Sequence, residues 1–324
     1  PVPLAGDYSS FYSQWQNAYT ISNEGIEFDV KYDVIRKDYL TWNVGFNIAR
    51  NWNRLEKSQS RRDFQTENSK NNLNVIGKAL NGIYVFKTRG LYNKAGEVPG
   101  TFINGKYTSL GGSSSTQFYR PGDRVIVDVD GNGSVTADGA ADDRVYAGSP
   151  LPLASGGITS SLSWKGFDLN VLFHYVIGRH ILNAASGSSV GTALGMTVED
   201  ITKPVFEDLN NVTFWREPGD KADYPANRLE AGLNNFATNI DANVEKVNYL
   251  KLKVLSLSYT LPGSVTRKLG CGLRFYVSGE NLFTFTNYSG SDPESVNIST
   301  GIDNASNYPL MKKVTFGLTL TLKK

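Results

Sequence analysis

Three oxygen-bearing side chains, Asp128, Asp130 and Asn132, stand two residues apart and are followed by Gly133 and Ser134 in the run DVDGNGS. Acidic or amide oxygens at positions one, three and five with glycine at six open a calcium loop of the EF-hand type. The spacing lets the side chains converge on a hard cation while the glycine takes the sharp turn. The bidentate glutamate of position twelve is missing, since Gly139 stands there. Asp138, Asp142 or Asp143 is placed to supply that carboxylate, and the flanks read as loop or strand. The expectation is a structural Ca²⁺ or Mg²⁺ site drawn from Asp128, Asp130, Asn132, Ser134, Asp138 and Asp142. An acidic, glycine-rich turn that binds nothing is the alternative.

A second set of chemically capable residues lies in FWREPGDKADYPANRL, where Trp215, Arg216, Tyr224 and Arg228 suit sugar stacking or a protein partner, as does Tyr288 further on. For any one of them taken singly, packing within the loop is the better explanation. Catalytic motifs are missing: there is no GxSxG, HExxH, CxxC, Walker or GxGxxG element in a suitable context. Carboxylates are plentiful but scattered, so no glycosidase pair is nominated and no enzyme is expected. His174 and His180 do not make a metal site together, and the single cysteine, Cys271, excludes an intrachain disulfide. A net charge of +2 from 33 basic and 31 acidic residues gives no case for nucleic acid.

The elements that must position these loops are amphipathic strands. Ile26, Phe28, Val30, Tyr32 and Val34 alternate with charges, and Trp42, Val44, Phe46 and Ile48 alternate with polar or small residues across a tight bend. Ile158, Ser160, Leu162 and Trp164 share one face, and after the turn at Lys165-Gly166 the residues Phe167, Leu169, Val171, Phe173 and Tyr175 continue it. Between Tyr249 and Leu261 the apolar parity slips, from Leu250, Leu252 and Val254 to Leu255, Leu257, Tyr259 and Leu261. Either a bulge at Val254/Leu255 keeps the apolar set outward, or the upper strand, with Lys251 and Lys253, stands above a membrane. Leu273, Phe275 and Val277 alternate next, with Glu280 on the wet face.

The expected strands are 11–22, 25–37, 40–54, 156–165, 167–178, 248–261, 272–285 and 313–322. A short helix is expected within 198–209. Connections near 36–40, 165–167 and 262–271 are short, whereas 55–155, 179–247 and 286–312 are long. That asymmetry is the habit of outer-membrane barrels, whose long loops lie outside the cell. No run of eighteen apolar residues argues for a membrane helix, which leaves a barrel open.

The stretches NYLKLKVLSLSYTLP, LRFYVSGENLFTFTNYSGSDPE and NYPLMKKVTFGLTLTL, with GDRVIVDVDGNGSVTADGAADDRV, GSPLPLASGGITSSLSWKGFDLNVLFHYVIG and FWREPGDKADYP upstream, resemble the SusC-like TonB-dependent transporters. The likeness runs over roughly residues 20 to 322. It implies an all-β fold: about eight strands of a large antiparallel transmembrane barrel in the outer membrane of a Bacteroidetes-like cell, importing glycan or peptide. It further implies a SusD-like lipoprotein over the loops and TonB–ExbB–ExbD acting through an N-terminal plug segment that this chain does not carry. Strands outside this chain must complete the barrel, in contact with outer-membrane lipid. The family often carries a DxNGDG stretch followed by a DR pair, which Asp143 and Arg144 match. One departure is Leu322, where such barrels commonly end on an aromatic residue. A soluble carbohydrate-binding β-sandwich is the alternative fold and function.

Overall fold

Alternating sequences built on β-branched and aromatic residues leave one solution for their backbone hydrogen bonds, pairing with a neighbouring strand. The computed structural model describes residues 2–3, 13–14, 19–58, 64–65, 71–98, 102–103, 106–107, 120–132, 135, 143–185, 213–226 and 239–322. Seven long strands form one antiparallel sheet: β1 (Tyr19–Lys37), β2 (Leu40–Ser58), β3 (Ala154–Trp164), β4 (Phe167–Asn183), β5 (Val244–Thr260), β6 (Cys271–Thr286) and β7 (Lys313–Leu322). Each pairs with its sequence neighbour, and the short strand Ile302–Asp303 joins as an eighth member, parallel to the end of β4.

The three short connections lie side by side at one end. Lys165 and Gly166 turn β3 into β4 with φ of 46° and 90°, and a Cβ on Gly166 would sit 2.7 Å from the Thr260 carbonyl oxygen of the adjacent connection. Lys165 N donates to Tyr39 O at 3.2 Å and Thr260 N to Gly166 O at 2.8 Å, lacing the three turns together. The third holds α1 (Gly263–Leu269), a helix the alternation pattern does not signal, ended by Gly270 at φ 67°.

Cross-strand register separates two faces. One row reads Asp33, Asn43, Ser161, Asn170, Ser256, Ser278 and Thr315 across all seven strands. The adjoining row, on the opposite face, reads Ile35, Trp42, Leu162, Leu169, Leu257, Val277 and Phe316. The apolar face is bare: Phe316 is 79% exposed and Phe285 62%. At the short-turn end it carries Trp164, Phe167 and Tyr259, with ring centroids 6.3 and 4.3 Å apart in succession. Ser160 is a polar residue on it, and Trp42 Nε1 donates to its hydroxyl at 3.0 Å. The outward stretch from Phe167 to Ile177, at ~3.3 Å per residue and a tilt of ~40°, rises roughly 25 Å, the height of a membrane barrel's apolar band.

Buried clusters gather at the long-loop end. Ile83, Val85 and Leu182 join a small sheet, ordered Arg144–Gly148, Gly82–Phe86, Asn72–Asn74 and Phe64–Gln65, to the end of β4. A second cluster, Val176, Ile181, Val247, Tyr249, Tyr288 and Val296, seats the segment after β6.

Four expectations change. The end of the strand expected at 11–22, from Tyr19, and the strand expected at 25–37 are one, β1, because Gly25 continues the ladder, while Ser13–Gln14 pairs with Val2–Pro3; a Cβ on Gly25 would sit 2.1 Å from Asn51 Oδ1, so glycine admits that side chain. β2, β4 and β5 run past their expected ends at the long-loop side, where the small sheet and loops pair with and pack on them. The bulge in β5 falls at Lys253, between Leu252 and Val254. It puts Leu250 and Leu252 on the same face as Leu255, Leu257 and Tyr259, so the apolar set stays outward. The 286–312 segment contributes the Ile302–Asp303 strand. The helix expected within 198–209 lies outside the described residues.

Candidate functional site

The polar face and its mouth at the long-loop end form the candidate site. Near the short turns Asp168 accepts from Ser163 Oγ at 2.7 Å, and Arg274 Nη2 donates to Ser258 Oγ at 2.8 Å. Higher up, Glu280 faces Lys313 across the β6–β7 pair at 3.4 Å. These groups are polar and, Ser258 apart, partly exposed, a lining rather than a core.

At the mouth the segment after β6 folds onto this face. Lys251, 1% exposed, donates to Asp292 Oδ2 and Glu294 Oε2, each at 2.8 Å, and Lys253 reaches Glu294 at 2.9 Å. The bulge makes this possible: Lys251 and Lys253, two residues apart, share one side of β5, and the extra residue turns that side to the polar face of the sheet. Burial raises the Glu294 carboxyl, but hydrogen bonds and charge from Lys251 and Lys253 outweigh it and hold the group below the usual carboxylate range. Arg179 donates to the carbonyls of Pro150, Pro293, Val296 and Asn297 at 2.8–3.1 Å. Sequence patterning does not find this clamp. The two lysines at the parity slip and the carboxylates of SDPE are its visible parts.

Of the predicted ligand-facing residues, Tyr288 is buried and donates its hydroxyl to Asp303 Oδ2 at 2.6 Å; burial first, then this bond, pushes the phenol upward. Trp215 is buried against Gly122 and Ala226. Tyr224 is half-buried with its ring 5.7 Å from Phe214. Arg216 is exposed, its backbone N–H donating to Asp220 Oδ2 at 2.8 Å. Both Trp215 and Tyr288 therefore hold loops together instead of offering a free ring. Arg228 lies outside the described residues.

The acidic loop does converge. Carboxylate oxygens of Asp128, Asp130 and Asp143 lie within 4.8 Å of one another, with Asp143 fully buried. Asp143 Oδ1 accepts the Val129 N–H at 2.7 Å, and Asn132 Nδ2 donates to Asp130 Oδ2 at 2.7 Å. Three carboxylate oxygens within that span are a donor set of the kind hard divalent cations use. Ser134, Asp138 and Asp142 lie outside the described residues.

The chain is 30% identical over 99% of its length to TonB-dependent receptor P3 of Formosa agariphila, and 24% identical over 98% to the TonB-dependent receptor SusC of Bacteroides thetaiotaomicron. The chain belongs with the SusC-like TonB-dependent receptors. It spans 30% and 28% of the length of these two relatives. No protein-family model matches. Among solved structures, the RagAB peptide transporter superposes with a TM-score of 0.69 at 24% identity, covering 99% of this chain and 31% of that one, and a closed state of the RagAB peptide importer with 0.60 at 18%. That likeness carries the fold of this SusC-like chain, a portion of a barrel wall. The sandwich alternative is not favoured: it needs a second sheet on the apolar face, and among the described residues none covers it.

Proposed function

We propose that this chain forms part of the barrel wall of an outer-membrane importer of glycan or peptide nutrients. A SusD-like lipoprotein sits over its long-loop end, and TonB–ExbB–ExbD supplies the energy through the rest of the receptor. One observation carries the reading: an unbroken polar row and an unbroken apolar row lie on opposite faces of the same seven strands. That is the division between a wet lumen and lipid. The wall conducts and positions, and performs no bond chemistry. The clamp at Lys251 keeps the segment after β6 at the mouth, where a nutrient enters. Uptake of labelled oligosaccharides and oligopeptides by cells with and without the complete receptor tests the reading. Uptake that depends on both the receptor and the proton-motive force supports it, and equal uptake without the receptor sinks it.

The acidic loop supports a second proposal, a structural Ca²⁺ or Mg²⁺ held by Asp128, Asp130 and Asp143. Calorimetric titration of the receptor with each ion should give a saturable heat that Asp143→Asn abolishes. Identical traces for the two proteins would remove the site.

A further inference from the structure

On β2 the apolar face continues through Phe46 and Ile48 and then changes character. Arg50 and Trp52 follow at the same parity, with the guanidinium 5.4 Å from the indole. Beside them, where the small sheet meets β4, is a hollow of about 390 Å³ lined by Arg50, Trp52, Tyr146, Leu153, Gly178 and His180. It adjoins a second hollow of about 450 Å³ that shares Tyr146 and His180 and adds Lys87, Lys246 and Asp241. Lys78 Nζ stands 5.8 Å from the Tyr146 ring.

The charge balance is one-sided. Among the described residues no carboxylate lies within ion-pair distance of Arg50, Lys78, Lys87 or Lys246. Two carboxylates lie nearby and are held by neutral donors, Asp241 Oδ1 accepting from Thr88 N and Oγ1 at 3.0 and 2.6 Å and Glu24 Oε2 from Trp52 Nε1 at 3.1 Å, so the four cations leave an excess of positive charge. A groove lined by Arg50, Lys87 and Lys246, with Lys78 on the Tyr146 ring beside it and Trp52 and Tyr146 as its aromatic rings, at the upper limit of the sheet's apolar band, matches one amphiphile. Phosphate meets the cations, a sugar ring meets Trp52 and Tyr146, and acyl chains run down past Ile48 and Ile177.

We propose that this groove binds the phosphorylated sugar headgroup of an outer-leaflet glycolipid. The inference rests on the outer-membrane reading above. Its test is native mass spectrometry of the complete, delipidated receptor in detergent, offered bis-phosphorylated lipid A, dephosphorylated lipid A or inorganic phosphate. The wild type should retain the phosphorylated lipid. The Lys78→Ser/Lys246→Ser double variant and Arg50→Ser should each retain about tenfold less, as should the wild type with dephosphorylated lipid. Lys31→Ser, on the polar face, should behave as wild type, and a heat-dependent gel shift verifies that each variant is folded. Undiminished retention in both groove variants, or displacement of the lipid by equimolar phosphate, overturns the glycolipid site. A receptor that stays soluble and binds no detergent sinks the outer-membrane reading and this proposal with it.

Discussion

Lys251 shows how much one buried charge can organise. An ammonium 1% exposed between Asp292 and Glu294 is tolerable only while both carboxylates stay in place. Lys251→Met should therefore leave Asp292 without its cation and Glu294 with Lys253 alone, at a cost of about 3–5 kcal/mol, and loosen the segment after β6. Limited proteolysis within 287–312 reads this directly: the variant should be cut where the wild type resists. The same contact predicts a pH response. Glu294 titrates lower in the folded protein than in the unfolded chain, so the stability it lends is present above the usual carboxylate range and is lost as pH falls through the lowered value. Protease sensitivity of that segment should thus rise on acidification and stay flat on the alkaline side.

At the scale of strands, the two faces should answer substitution differently. Leu257→Arg places a charge in the apolar row and should cost about 2–4 kcal/mol, whereas Ser256→Arg, one residue away on the polar row, should be nearly silent. Urea titration of the folded receptor in lipid measures both. Gly166→Val forces a β-branched side chain into positive φ and against the Thr260 carbonyl, so the β3–β4 turn should register late or wrongly, seen as loss of the heat-shifted band on gels. Much of this was legible beforehand. Period-two alternation located all seven strands, and the short and long connections gave their polarity, because both depend on neighbours in sequence. The bulge was visible as a parity slip, one residue from its true place. The clamp was not, since Lys251 and Asp292 are 41 residues apart and meet only after the bulge and the folded-back segment are formed. Trp215 and Tyr288 show the same limit, because aromatic residues in loops carry no mark of whether they face solvent or their own chain.

At the scale of the whole molecule, β1 and β7 each pair on one side only among the described residues. Unpaired strand edges in hydrocarbon cost several kcal/mol per polar group, so this sheet must meet other strands of the complete receptor. Expressed alone, the chain should aggregate or remain protease-sensitive in detergent, and co-expression with the remaining strands should restore a heat-shifted, resistant species. Arg179 adds a last consequence. It grips Pro150, Pro293, Val296 and Asn297 through carbonyl oxygens, and its guanidinium does not lose its proton under any ordinary condition. Acid that opens the Lys251 clamp therefore leaves this second fastening intact. The segment at the mouth is moored at points of different sensitivity, so acidification should release it at Lys251 while Arg179 and the Ile302–Asp303 strand keep it attached to the wall, like a door on its hinges.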